Sequence, residues 1–351
     1  MKVEKVKKMN LQDKKTVMII ITLVILAVTA GGASFIFIDK LLTPSEKNVE
    51  ENQEEFIPEE NFPEFTKDEW LSLSRERTLM VIIDNDVQAR PQAGLNEGDI
   101  IYEFPLTEGR SSFMAIYSRF NPQLIGPIGS IQDYNVEIAQ NYDGIFVLKG
   151  GSSQALELLA DLNNLNSLGG GVDRAFWRKN DRVEPYNLYT DTQSLRRVAA
   201  QEGFADQPKI IDFNYLNEDE SFIGEKAENI VIEYGNKDYL IQYQYEKNSR
   251  RYLRNTAGNK HLDDQGRQLS AKNLIVQIVR TDFSGEKEYL KIDLEGPGRA
   301  LFFADGRVQE GKWQKEQGEI QYYNEAGEKV ALRPGNTWIH IVPSQKPIVY
   351  Q

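Results

Sequence analysis

A chain of 351 residues is long enough for an anchor and two globular domains of roughly 100 to 200 residues each. Its apolar fraction of 40% suits a packed core, and its formal net charge of −12 argues against the Lys and Arg footprint of a nucleic-acid binder. Cysteine is absent and the histidines are two, His261 and His340, so disulfides, thiolate metal sites, a Cys nucleophile and a lipid-attached Cys are excluded, and any triad or zinc site must use one of those imidazoles.

Residues 1–15 form a basic tail, with Lys2, Lys5, Lys7, Lys8, Lys14 and Lys15 against Glu4 and Asp13. Thr16 to Ile38 carries no charge and is long enough to cross about 30 Å of hydrocarbon as a helix. Lysines before the span and acids after it predict a single-pass cell-membrane protein, its N-terminus cytoplasmic and its C-terminal domains extracellular. Val28-Thr29-Ala30 offers a signal-peptide cleavage site, but Phe35 to Ile38 prolongs the apolar run past it and favours an uncleaved signal anchor. Residues 39–65 are rich in Glu, broken by proline and poor in periodic apolar residues, which predicts an acidic, disordered tether.

Residues 66–207 alternate strand-like and helix-like stretches and predict an α/β domain with part of its sheet parallel. Thr66 and Glu69 form a capping box before Trp70, and Leu79 to Asp84 is an apolar strand ending in Asp84-Asn85-Asp86. Further strands are predicted at Ile100 to Phe104 and Ser112 to Phe120, and a helix at about Gln132 to Tyr142. Asp143 to Leu159, DGIFVLKGGSSQALELL, reads as a strand, a Gly150-Gly151 break and a helix capped by Ser152 or Ser153. Such a turn aims backbone N–H groups into a crevice at the strand's carboxyl end, where α/β sheets place ligands. Ser167 to Thr192 reads as a long irregular loop rich in Gly, Arg and aromatics, and a helix capped near Asp191, with Leu195, Val198 and Ala199 inward, ends at Gly203.

Residues 208–351 change to a period of two and predict a mostly antiparallel β domain. Tyr239, Ile241, Tyr243 and Tyr245 share one face, Asp305-Gly306 and Glu325-Ala326-Gly327 mark hairpins, and TWIHIVP closes the chain as a strand.

Each piece of candidate chemistry has a plainer alternative. Lys149 could serve as base to Ser152, but a serine at a helix start is more often its cap. A weaker version keeps the site without the reaction: Gly150, Gly151, Ser152 and Ser153 hold an anion or carboxylate and Lys149 adds charge. Asp84, Asp99 and Glu103 could form an acid/base pair or a hard-cation site, with turn capping by Asp84 and a solvated edge for the other two as the plainer reading. Arg174, Arg178 and Arg182, with Phe176, Trp177, Tyr186 and Asn187 among and after them, suit an anionic or glycan-like ligand or a packed surface loop. His261 with Asp263 and Asp264 reads as turn chemistry, and His340 as a structural residue of a strand. No cofactor and no metal site is expected.

Several stretches together resemble the YerB-like family of bacterial lipoproteins, whose paired domains have no assigned function. They are ARPQAGL at Ala89 to Leu95, GDIIYE at Gly98 to Glu103, GPIGS at Gly126 to Ser130, GGSSQA at Gly150 to Ala155 and PYNLY at Pro185 to Tyr189. In the second domain they are Tyr252 to Asp263, AKNLIVQIV at Ala271 to Val279 and the closing PGNTWIHIVP. The resemblance implies an envelope location and this domain pair. The family pattern has arginines where this chain has Gly129 and Gln132, histidines where Tyr186 and Leu148 stand, and a lipid-attached cysteine that the anchor replaces here.

Anchor, tether and resemblance predict an extracytoplasmic binding or scaffolding protein of the bacterial cell envelope, contacting the membrane through Thr16 to Ile38 and a wall component or envelope protein through the crevice. The alternative is a hydrolase or transferase on a wall polymer that uses Asp84, Asp99, Glu103 or Ser152.

Overall fold

The computed structural model describes residues 63–204, 213–283 and 290–351. The predicted basic tail, membrane span and nearly all of the tether lie outside the described residues, among which no helix is long and apolar enough to cross a membrane. Residues 59–351 form one compact unit.

Four short α-helices occur among the described residues: α1 (Lys67–Ser72), α2 (Asp133–Ala139), α3 (Ser153–Leu158) and α4 (Thr192–Gln201). The first half is therefore more strand than helix, which narrows the α/β expectation. Its strands are β1 (Leu79–Ile83), β2 (Ile100–Pro105), β3 (Ser111–Tyr117), β4 (Ile145–Leu148), β5 (Asn164–Asn166), β6 (Phe176–Arg178) and β7 (Leu188–Thr190). The second half adds β8 (Asn229–Ile232), β9 (Ile241–Glu246), β10 (Arg251–Thr256), β11 (Asn259–Lys260), β12 (Ser270–Ala271), β13 (Asn273–Val279), β14 (Gly298–Ala304), β15 (Arg307–Glu316), β16 (Glu319–Asn324), β17 (Thr337–Pro343) and β18 (Ile348–Tyr350).

One eleven-stranded sheet runs through both halves in the order β16-β15-β14-β13-β17-β2-β3-β1-β4-β5, with Glu225–Lys226 beside β15. The seam lies where β17, the TWIHIVP strand, pairs parallel with β2, placing Ile100 beside Thr337 and Glu103 beside His340. β1 pairs antiparallel with β3 and parallel with β4, so the sheet is mixed as expected. A second sheet, β11-β10-β9-β8-β18 with β12 beside β10, is antiparallel throughout.

The central strands of the large sheet are covered on both faces and read as continuous apolar runs, whereas β15 and β16 at one edge are polar and part-exposed. One face packs Met80, Ile82, Tyr102 and Phe146 with Trp70 of α1, Val136 and Ile138 of α2 and Ala155 of α3. The other packs Val81, Ile101 and Val147 with Leu195 and Val198 of α4 and with Ile241, Tyr243 and Tyr252 of the smaller sheet.

Local signals are realised where the chemistry is local. Thr66 and Glu69 make both bonds of the capping box at α1, and Asp191 caps α4 by accepting from Ser194 N at 2.6 Å. Asp305 and Gly306 both take positive φ, the geometry that a two-residue hairpin of matching twist requires. The segment 167–192 departs from the loop expected there: β6 and β7 form a hairpin, and Thr190 pairs with Ile125 in both directions. Of its aromatics Tyr189 is buried and Phe176 packs against the core, while Trp177 stays exposed.

Candidate functional site

Val81 lies opposite Val147 in the parallel pair β1 and β4, so both strands leave the sheet at the same end. Asp84 to Asp86 follows β1 there, and Lys149 to Ser153 follows β4. The GPIGS segment runs between them: Asp84 N donates to Pro127 O at 2.9 Å, Gly129 N to Ile82 O at 2.9 Å and Lys149 N to Gly129 O at 2.8 Å. A Cβ on Gly129 would sit 3.1 Å from Asp84 N, so the segment runs in tight contact with the turn after β1.

Asp84 Oδ1 accepts from Asp86 N at 2.8 Å, so Asp84 caps its turn as its position predicts. Burial raises the Asp84 carboxyl above its ordinary range and the Asp86 charge adds to this, while the Asp86 N–H, Arg110 and Lys149 oppose it. Lys149 is half-buried and held below its usual value by burial and by Arg178, with Glu184 and Asp84 opposing. Its Nζ donates to Pro185 O at 3.2 Å, which brings the PYNLY segment to the crevice. Burial and then the two aspartates raise the Tyr186 phenol, whose hydroxyl bonds Asp86. Burial and Asp86 push Tyr239, from the second half, up to about 12. Two carboxylates, a lysine, an arginine and two phenols thus lie within electrostatic reach of one another at this end of the sheet. The sequence reading held Asp84, Lys149 and Tyr186 and missed Asp86, Arg110 and Tyr239, which separate strands deliver.

The glycine turn shapes the crevice rather than feeding it donors. Gly150, at φ +63°, donates its N–H to Asn166 Oδ1 at 2.9 Å, and Ser152 N donates to Ile131 O at 3.3 Å. The N–H groups of Gly150 and Ser152, expected to point into the crevice, are therefore taken up within the fold. Gly151 is packed so closely on Ile131 that a Cβ would lie 2.4 Å from it. Ser152 Oγ accepts from Ala155 N at 3.1 Å, so it caps α3, and Ser153 is the exposed first residue of that helix.

The three arginines of the hairpin segment do not act as one group. Arg174 holds the end of α4 through Gln201 and Glu202, each at 3.0 Å. Arg182 donates to the carbonyls of Ala89, Arg90 and Pro91 and fixes the ARP segment. Arg178 pairs with Glu184 at 2.7 Å and Asn187 Oδ1 at 2.5 Å, and it alone of the three adds to the field at Lys149.

Glu103 and Asp99 are not the solvated edge residues that their places in the sequence suggest. Asp99 is buried, accepts from Ser118 N at 2.6 Å and Arg119 N at 3.0 Å, and pairs with Arg119 at 3.2 Å. Glu103 is fully buried at the seam, where it accepts from Ser111 Oγ at 2.6 Å and pairs with Arg254 of β10 at 3.0 Å. Arg254 also donates to Tyr243 OH at 2.9 Å and His261 Nδ1 at 3.1 Å, and its guanidinium lies over Trp338 at 4.9 Å.

Hydrogen bonding fixes both histidine tautomers. His261 Nδ1 accepts from Arg254, so its Nε2–H donates to Gln92 Oε1 at 2.9 Å. The Glu103 carboxylate faces His340 Nδ1 at 3.3 Å and holds the proton there, so Nε2 accepts from Tyr243 OH at 3.1 Å, whose oxygen accepts from Arg254. Burial alone would raise Glu103, but Arg254, His340 and Ser111 together hold it below its usual range. Burial lowers both imidazoles below the usual range and Arg254 adds to this, with Glu103 opposing it at His340. His261 therefore belongs to this closed network rather than to turn chemistry, whereas Asp263 does serve its turn, accepting from Gln265 N and Arg267 N. His340 is structural, as its strand position indicates.

The network reaches the crevice floor through Gln92, whose Nε2 donates to Asp84 O at 3.1 Å and Asn85 Oδ1 at 3.0 Å. Among the described residues no group of three or more His, Asp or Glu side chains is placed to hold a metal ion.

Two family models match the chain: "Protein of unknown function (DUF3048) N-terminal domain" over residues 67–205 and the corresponding C-terminal domain over residues 230–339. A Bacillus subtilis (strain 168) protein described as "Putative lipoprotein YerB" is 30% identical over 279 residues, covering 77% of this chain and 82% of that one. The crystal structure of the Bacillus subtilis YerB protein superposes with a TM-score of 0.68 at 28% identity, covering 79% of this chain and 95% of that one.

Proposed function

The chain belongs to the DUF3048 family, two domains of unknown function that it shares with YerB, and from its own side chains we propose that it is a membrane-anchored, extracytoplasmic binding protein of the cell envelope whose ligand occupies the crevice at the ends of β1 and β4. The observation that carries this reading is the contrast in how charge is held. Glu103 pairs with Arg254 and faces His340 in a closed interior, and Arg254 bonds His261, whereas Asp84 is buried at the sheet end with its own turn and only the field of Lys149 and Arg110 to answer its charge.

A site with carboxylates and cations within reach of one another suits a ligand bearing both charges, such as a peptide or an amino-substituted wall polymer. Binding is favoured over catalysis because Ser152 is engaged as a cap, both imidazoles are buried away from the crevice, and Lys149 bonds a carbonyl rather than Ser152. The naming of its relative as a putative lipoprotein supports the envelope location, and the apolar run at Thr16 to Ile38 supports the single-pass anchor.

Thermal unfolding of the full chain in lipid nanodiscs, against a panel of wall peptides, amino-substituted polymers and simple anions, tests the proposal. A ligand at about a hundred times its Kd adds roughly 2.7 kcal/mol to the folded state, and Lys149→Ala removes that gain. A panel in which no member shifts the transition sinks the reading, and a ligand returned cleaved or transferred makes the protein an enzyme with Asp84 as its acid.

A further inference from the structure

A second concavity lies away from the crevice, where the chain enters the folded unit. It encloses about 330 Å³, within the range of small-molecule sites. One wall is aromatic: Phe65, Trp70 and Phe120 meet with ring centroids 5.3, 6.0 and 6.3 Å apart, and Arg119 lies over Trp70 at 4.4 Å. The indole N–H of Trp70 is buried with no acceptor among the described residues.

The opposite wall is polar and rigid. Arg251 is fixed by Ser270 Oγ at 2.8 Å and Asn336 Oδ1 at 2.7 Å. Arg267 is fixed by Glu97 at 2.5 Å and by Asp263 at 2.7 Å, and Asn96 donates to Asp263 Oδ2 at 3.2 Å. Two guanidiniums thus stand against Glu97 in the wall and Asp263 behind it, so the wall's charges balance.

We propose that this pocket binds a neutral saccharide, one sugar face against the half-buried Phe65 and Phe120, which pack on the buried Trp70 behind them, and its hydroxyls on the amide and guanidinium wall. Charge balance disfavours an ionic ligand, and an alkyl chain would gain nothing from the polar wall. A pyranose has the matching asymmetry, with C–H faces that pack on aromatic rings and a rim of donors and acceptors. Pre-fixed side chains lower the entropy lost on binding. This inference does not depend on the crevice.

The test is calorimetric titration of the full chain in nanodiscs with chitotetraose, a neutral acetylated amino-sugar tetramer, with decanoate as a lipid-like control. Saccharide binding that weakens about tenfold or more in Phe120→Ala and in Phe65→Ala supports the pocket. A saccharide-induced change in tryptophan emission that disappears in Trp70→Phe, a variant that keeps an aromatic ring, supports it independently. Lys149→Ala separates the two sites, because binding that survives it belongs to the pocket. Absence of saccharide binding to the folded parent chain, binding of decanoate instead, or loss in Lys149→Ala with retention in Phe120→Ala overturns the proposal.

Discussion

Glu103 and Asp84 are carboxylates carried by the same sheet, and they meet opposite fates. Glu103 lies mid-strand at the seam, where β17 and the smaller sheet bring Arg254, His340 and Tyr243 onto it, so it is ionised, paired and shut away. Asp84 lies one residue beyond the end of β1, where nothing but its own turn and more distant cations answers its charge. Burial without a partner raises one carboxyl, and burial with partners lowers the other. These two carboxylates therefore divide by position: the one mid-strand fastens the two halves, and the one at the strand end is left with its charge weakly answered.

The strongest way to break that division is Arg254→Ala. It strands the Glu103 charge in a dry interior and is expected to cost about 3–5 kcal/mol, whereas replacing both partners by apolar residues of similar volume should restore much of the loss. Chemical denaturation measures both, and a loss below about 1 kcal/mol in the single variant would mean that water enters the seam. Acid is the next largest perturbation. His261 and His340 are held neutral when folded, so below about pH 6.5 the unfolded chain takes up protons that the folded chain refuses, and stability falls as pH drops. Glu103 acts in the same direction at lower pH, since its folded form also resists protonation. A denaturation midpoint that stays level from pH 7 to pH 5 would show that the imidazoles titrate freely in the folded protein.

How much of this division is written in the chain depends on the range of the interaction. The capping box at Thr66, the Asp305-Gly306 hairpin, the α4 cap at Asp191 and the turn role of Asp84 each lie within a few residues and were legible. So was the place of Lys149 directly after a strand, since strand, glycines and helix follow one another in the sequence. The partner of Glu103 was not legible, because Arg254 is 151 residues away and meets it only through the pairing of β2 with β17 and the packing of a second sheet. The glycine turn misled for a similar reason: its N–H groups looked free until Asn166 and Ile131, from neighbouring segments, claimed them. A buried carboxylate flanked by apolar residues, as in IIYEFP, is the trace that Glu103 leaves, since such a position demands a cation that the local sequence does not supply.

Ser152→Ala gives a middle-sized effect that sharpens the other side of the comparison. Loss of the α3 cap should cost about 1 kcal/mol with no change in ligand affinity, and an affinity loss larger than the stability loss would return the hydroxyl to the chemistry.

The smallest stability effects are expected in the crevice itself, and they carry the most about function. Because the folded pKa of Asp84 lies above its ordinary value of 3.8, the folded state holds that proton more tightly, and stability falls as pH rises through the window just above 3.8. Asp84→Asn keeps an oxygen for the Asp86 N–H, removes the ionisation, and should flatten that slope while leaving the protein slightly more stable at neutral pH. Lys149→Ala, at a half-buried site whose ammonium bonds one carbonyl, should change stability by no more than about 0.5 kcal/mol. If both variants fold as well as the parent and both lose the crevice ligand, the charges there are maintained at the expense of stability, which is the behaviour of a binding site. If either variant unfolds instead, the crevice fastens the structure as the seam does, and the distinction between the two carboxylates disappears.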